Sequence, residues 1–63
     1  MAKHKFCVEF DGGFCFVEAE DGELAKKRAR QEFGEGRAPY RTTVAKKEDW
    51  ERFVAGNGEI LEG

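Results

Sequence analysis

A chain of 63 residues with 38% charged and 40% hydrophobic side chains is expected to form one small domain over 1–63, burying only about 60% of the surface its unfolded form exposes. Six Phe and one Trp argue against a disordered polar tract, and no apolar run approaches the roughly 20 residues of a membrane span. The start, MAKHKFCVEF, runs straight into a strand pattern without a cleavable leader, so a reduced, cytoplasmic protein is expected. The net charge of −2 conceals a division. Residues 1–23 hold two Lys against six acids, 24–47 eight Lys or Arg against two acids, and 48–63 one Arg against five acids. Acidic ends of this kind are expected to pack against the basic middle and neutralise it.

KHKFCVEF alternates Phe6, Val8 and Phe10 with Lys5, Cys7 and Glu9, the period of a half-buried strand. Asp11-Gly12-Gly13 then offers turn chemistry before a returning strand. With Gly12-Gly13 as a two-residue turn, Phe10 faces Cys15, Val8 faces Val17, Phe6 faces Ala19 and Lys5 faces Glu20. That register gathers Phe6, Val8, Phe10, Cys15, Val17 and Ala19 on one face. The alternative is a three-residue loop, which shifts the pairing by one and groups Phe6, Val8, Phe10, Phe14 and Phe16 but sets Phe6 against Glu18. The two-residue turn is preferred. It leaves Cys7, Phe14 and Phe16 on a second face that also needs a cover.

Asp21 is placed as an N-cap, Glu23 suits the positive end of a helix dipole, and ELAKKRARQEF runs in helix formers to Gly34, a natural stop. Ala25, Ala29 and Phe33 make the expected buried stripe, with Leu24 at its edge. Lys26, Lys27 and Arg30 lie opposite, with Glu23 spaced to pair at i+3 and i+4. GEGRAP reads as a loop, and YRTTVAK as a third strand by its Tyr, Thr and Val content. Trp50, Phe53 and Val54 recur at helical spacing before Gly56, which predicts a short C-terminal helix. The alternative is a C-terminal hairpin around Asn57-Gly58, a strong turn signal. The fold class is therefore α+β: a hairpin plus third strand in a small antiparallel sheet, one main helix on one face, order ββαβ, then a short helix. This succession resembles many small bacterial or phage-borne ββαβ proteins of unknown role, a likeness that carries over no functional residue.

Catalytic chemistry finds little support in these residues. His4, Cys7 and Cys15 could be offered as a metal or nucleophile set, but the preferred register points the two cysteines to opposite faces and no Cys-x-x-Cys is present. Glu18, Glu20 and Asp21 are close in sequence, yet a chain this small has little cavity in which to desolvate them. Gly34-x-Gly36 and Gly56-x-Gly58 lack the context of a phosphate loop. The expectation is a protein that is not an enzyme and needs no cofactor or metal.

Two surfaces remain. The candidate interaction surface is Phe14, Phe16, Arg41 and Trp50, on the second sheet face, which the third strand extends with Arg41, Thr43 and Ala45. Trp50, Phe53 and Val54 are expected to fold back over it and bring Glu48, Asp49 and Glu51 towards Arg41. A two-fold homodimer through the same face is the rival cover. The candidate basic patch is Lys26, Lys27, Arg30 and Arg37, with Arg28 and Arg41 beside it. Clustered cations favour nucleic acid through counterion release, and Phe14 and Phe16 could stack on bases. The helix cations, however, belong on the far side of the sheet from those rings. The function expected is a non-catalytic protein-interaction or self-associating module, its partner an unknown protein or itself; a small nucleic-acid-binding protein is the alternative, and no membrane is involved.

Overall fold

The computed structural model describes residues 2–34 and 36–63; Glu35, inside the loop expected over 34–39, lies outside the described residues. Strands β1 (His4–Phe10) and β2 (Gly13–Ala19) form the expected antiparallel hairpin. Its loop has two residues, but they are Asp11-Gly12 and not Gly12-Gly13, because Phe10 pairs with Gly13. Every expected cross-strand pair therefore moves by two: Val8 faces Cys15, Phe6 faces Val17, and Lys5 faces Glu18 instead of Glu20. The reason is backbone geometry. Gly12 holds φ at +90°, so the positive-φ position of the turn is the second of its two residues, and Gly13 is released to open β2. A shift of two preserves the parity of the pleat, so the apolar face keeps the membership read from the sequence.

Helix α1 (Gly22–Phe33) packs on that face. Asp21 caps it by accepting a hydrogen bond from the Leu24 N–H at 2.9 Å, and Gly34 ends it at φ +111°. Ala25 and Ala29 are buried against Phe6, Val8, Phe10, Cys15, Val17 and Ala19. Their small side chains let the helix approach the sheet closely, and Phe33 closes one end by stacking on Phe10 at 4.8 Å.

Strand β3 (Arg41–Val44) adds to the outer side of β1, antiparallel, with Phe6 opposite Val44 and Val8 opposite Thr42. A last strand, β4 (Leu61–Glu62), lies parallel to β2, with Val17 opposite Leu61. The sheet is thus mixed, in the order β3-β1-β2-β4, and not the purely antiparallel sheet expected. Two residues of strand carry too little alternation to register as a pattern. Leu61 packs against the α1-side core, and the Arg28 Nε–H donates to the Glu62 carbonyl at 3.1 Å.

Helix α2 (Lys47–Ala55) forms as expected, and Asn57-Gly58 makes its C-terminal cap, not a hairpin turn. It lies over the opposite sheet face from α1, with the Phe53 ring 4.9 Å from that of Phe16 and 5.9 Å from that of Phe14. Among the described residues no helix is long and apolar enough to cross a membrane.

Candidate functional site

The α2 side of the sheet is built by parity. Odd residues of β1 and β3 and even residues of β2 share this face, since Cys7 pairs with both Phe16 and Thr43, and Glu9 with both Phe14 and Arg41. Phe16 is only 4% exposed, so the expectation that it lies outside the core is corrected: the Phe53 ring covers it from above and Phe14 meets it edge-on at 5.7 Å. Phe14 is 50% exposed. The lid is therefore partial, resting mainly on one aromatic ring.

Beside the lid lies an open groove of about 550 Å³ between α2 and the sheet, with Phe14, Phe16 and Phe53 along one side and Arg41, Val44 and Arg52 among its other lining residues. Cys7 lies in it half-buried; burial above all, then the Glu9 and Asp49 carboxylates, push its thiol pKa up, against the pull of Arg41. Of the candidate interaction residues, Phe14, Phe16 and Arg41 meet at this groove, whereas Trp50 does not line it. Trp50 is half-buried below the Lys5 ammonium, 4.4 Å from the ring centroid, and Lys5 also pairs with Glu18 at 3.2 Å. Of the α2 acids that the sequence places towards Arg41, Asp49 lines the groove with it but forms no ion pair with Arg41. The ion-pair partner of Arg41 among the described residues is instead Glu9, directly opposite in the ladder, at 3.7 Å.

The basic set divides in two. Lys26, Lys27 and Arg30 line a cavity of about 610 Å³ on α1 together with Glu23, Gln31 and Pro39. Lys26 pairs with Glu23 at 3.2 Å, while Lys27, spaced at i+4 from the same carboxylate, does not. Arg37 stands apart, its guanidinium 5.9 Å from the Phe33 ring centroid and donating to the Asp11 carbonyl at the hairpin loop. The cations of α1 and the rings at the groove lie on opposite sides of the sheet, as expected.

Val44 and Arg52 are groove residues that sequence reasoning did not single out. Arg52 directly precedes the lid residue Phe53, a signal within reach of the sequence; Val44 is an even residue of β3, opposite Phe6 of the α1-side core, so strand alternation does not assign it to the groove that it lines. Cys7 and Cys15 fall on opposite faces and are both free. Among the described residues no group of three His, Cys, Asp or Glu side chains could hold a metal ion. Compared with protein-family models, curated proteins and solved structures, the chain finds no match.

Proposed function

We propose that this chain is a non-catalytic protein-interaction module, cytoplasmic in setting, whose docking surface is the groove beside α2 and which takes an extended segment of another protein. The observation that carries the reading is Phe14, half exposed while lining an open groove on a face that α2 covers only in part. An apolar side chain entering beside Phe14 and Phe53 would remove ring surface from water, worth about 25 cal/mol per Å² of apolar area buried. Neighbouring Arg41 and Arg52 offer charge for orientation. Nucleic-acid binding is the lesser reading, since the cations of α1 and the exposed ring at the groove do not share a surface on which one strand could use both.

Selection of random peptides displayed against the folded protein tests this. Peptides should be recovered whose binding is abolished by Phe14→Ser and by Arg52→Glu, while Lys27→Glu on α1 leaves it unchanged. Recovery only of ligands that ignore both groove variants, or tight binding of an oligonucleotide that Lys27→Glu abolishes, would rule the groove out as the docking surface.

A further inference from the structure

Strand β3 is the last strand on its side of the sheet. The Ala45 N–H donates to the Lys5 carbonyl at 2.8 Å, which fixes the phase of the ladder. Groups facing a neighbour alternate along an antiparallel strand, so Thr43 and Arg41 also face β1. The N–H and C=O groups of Thr42 and Val44 then point away from the sheet. Val44 is 64% exposed, and RTTV contains no proline to block pairing. An edge of this kind is a template for another strand.

A second copy of the chain is a poor occupant. Two-fold antiparallel pairing through Thr42 and Val44 centres on Thr43 and sets Arg41 opposite Ala45 of the second copy, which that copy's Lys46 and Lys47 follow directly in the chain. This happens at both ends of the pairing, and like charges so placed are unfavourable. The same cations favour an acidic strand. Arg41, Lys46 and Arg52 line the groove against Glu9 and Asp49, and Glu9 is already paired with Arg41. Among the described residues neither Lys46 nor Arg52 has an ion-pair partner.

We infer that the free edge of β3 takes an extended acidic segment of another protein as a fifth strand, hydrogen-bonded to Thr42 and Val44, with its carboxylates beside Arg41, Lys46 and Arg52. This rests on the reading that the chain docks an extended segment of another protein and adds the backbone mode and the charge of that partner; β1 and β3 stand between the added strand and Phe14 of β2, so the strand meets the groove at its β3 margin and not at that ring. Main-chain bonds supply affinity in this mode and alternate side chains supply specificity. Side chains on one face of the added strand would lie over Thr43, at the β3 margin of the groove.

Two synthetic peptides test it: acetyl-Glu-Val-Glu-Phe-Glu-Val-Glu-amide and its counterpart with every Glu replaced by Lys. The Glu peptide should bind, weaken as salt rises, and slow hydrogen exchange at the Thr42 and Val44 amides by about tenfold or more. The Lys peptide should not bind. Val44→Pro removes an outward donor without touching the β1–β3 ladder, and Arg52→Glu reverses a charge that lies off the strand. Each should abolish or strongly weaken the Glu-peptide complex. Equal binding of both peptides, binding that leaves the Thr42 and Val44 amides unprotected, or no binding of either would overturn the acidic-strand inference, even where displayed peptides still need Phe14. A parent chain that sediments as a dimer with those two amides already protected would assign the edge to a second copy and overturn it equally.

Discussion

Cys7 and Cys15 show how one step in strand parity sets the chemistry of a side chain. Cys15 points into the α1-side core and is 7% exposed. Burial, with smaller contributions from Cys7 and Glu32, pushes its thiol up from the ordinary 9.0 to about 11, with Arg28 pulling the other way. The folded state thus holds this proton more tightly than the unfolded chain does. Its contribution to stability is complete below pH 9, where both states are protonated, and is lost as pH rises from 9 to 11. The loss amounts to about 2–3 kcal/mol. Denaturant midpoints of the parent and of Cys15→Ala, followed across that window, should converge as pH rises, Cys7 being common to both. Midpoints that keep a constant separation up to pH 11 would show that the Cys15 proton is not held by folding.

The end of α2 is decided by one short cap. The Gly58 N–H donates to the Phe53 carbonyl at 2.9 Å and the Asn57 N–H to the Val54 carbonyl at 3.0 Å, the paired bonds of a Schellman motif, with Asn57 at φ +72° as its left-handed residue. An Asn-Gly hairpin turn draws on the same tolerance of positive φ, so the dipeptide signals either outcome. Packing separates them. A Cβ on Gly58 would stand 2.5–2.7 Å from three atoms of the Phe53 ring, so only glycine lets the cap close under the lid. Gly58→Ala should move Phe53 off Phe16 and cost about 1–3 kcal/mol, whereas Asn57→Gly should be neutral or stabilising because glycine adopts left-handed angles without a Cβ penalty. Denaturant midpoints, with ring-to-ring NOEs between Phe53 and Phe16, report both. A Gly58→Ala protein with parental stability and intact NOEs would remove the steric argument.

Across the whole molecule, two helices cover the two faces of one sheet by different means. The α1 side is a packed core of aliphatic, small and aromatic residues; the α2 side is held by Phe53 over Phe16 and by Lys5 between Trp50 and Glu18. Phe16 should therefore count as core although it belongs to the second face. Phe16→Ala is expected to cost about 3–5 kcal/mol, as loss of a buried ring does, and Phe14→Ala about 1 kcal/mol or less, as at a half-exposed position. Chemical denaturation of the two variants checks the order; equal costs would mean that α2 does not seal Phe16. The expected self-neutralisation of charge is realised only in part. Glu9–Arg41 and Glu23–Lys26 join the acidic start to the basic middle, while among the described residues no side-chain ion pair joins the middle to 48–63.

The sequence by itself determined what depends on local period and local chemistry. Alternation named the residues of the α1-side face, the Asp21 cap and Gly34 stop bounded α1, the Ala25-Ala29-Phe33 stripe named its buried side, and Trp50-Phe53-Val54 spacing predicted α2. Tertiary structure decided what period leaves degenerate. Registers two residues apart give the same face, so alternation could not distinguish the Gly12-Gly13 turn from Asp11-Gly12; the backbone angle at Gly12 did. Strand β4 is too short to carry a period, and its place depends on Val17 and Glu18 being free to pair on their outer side. The groove was half legible, since an apolar second face demanded a cover and Phe53 supplies it. That the cover would leave Phe14 half exposed, and that β3 would end the sheet on the far side of β1, follow from the lengths and packing of separate elements, which no local stretch of sequence contains.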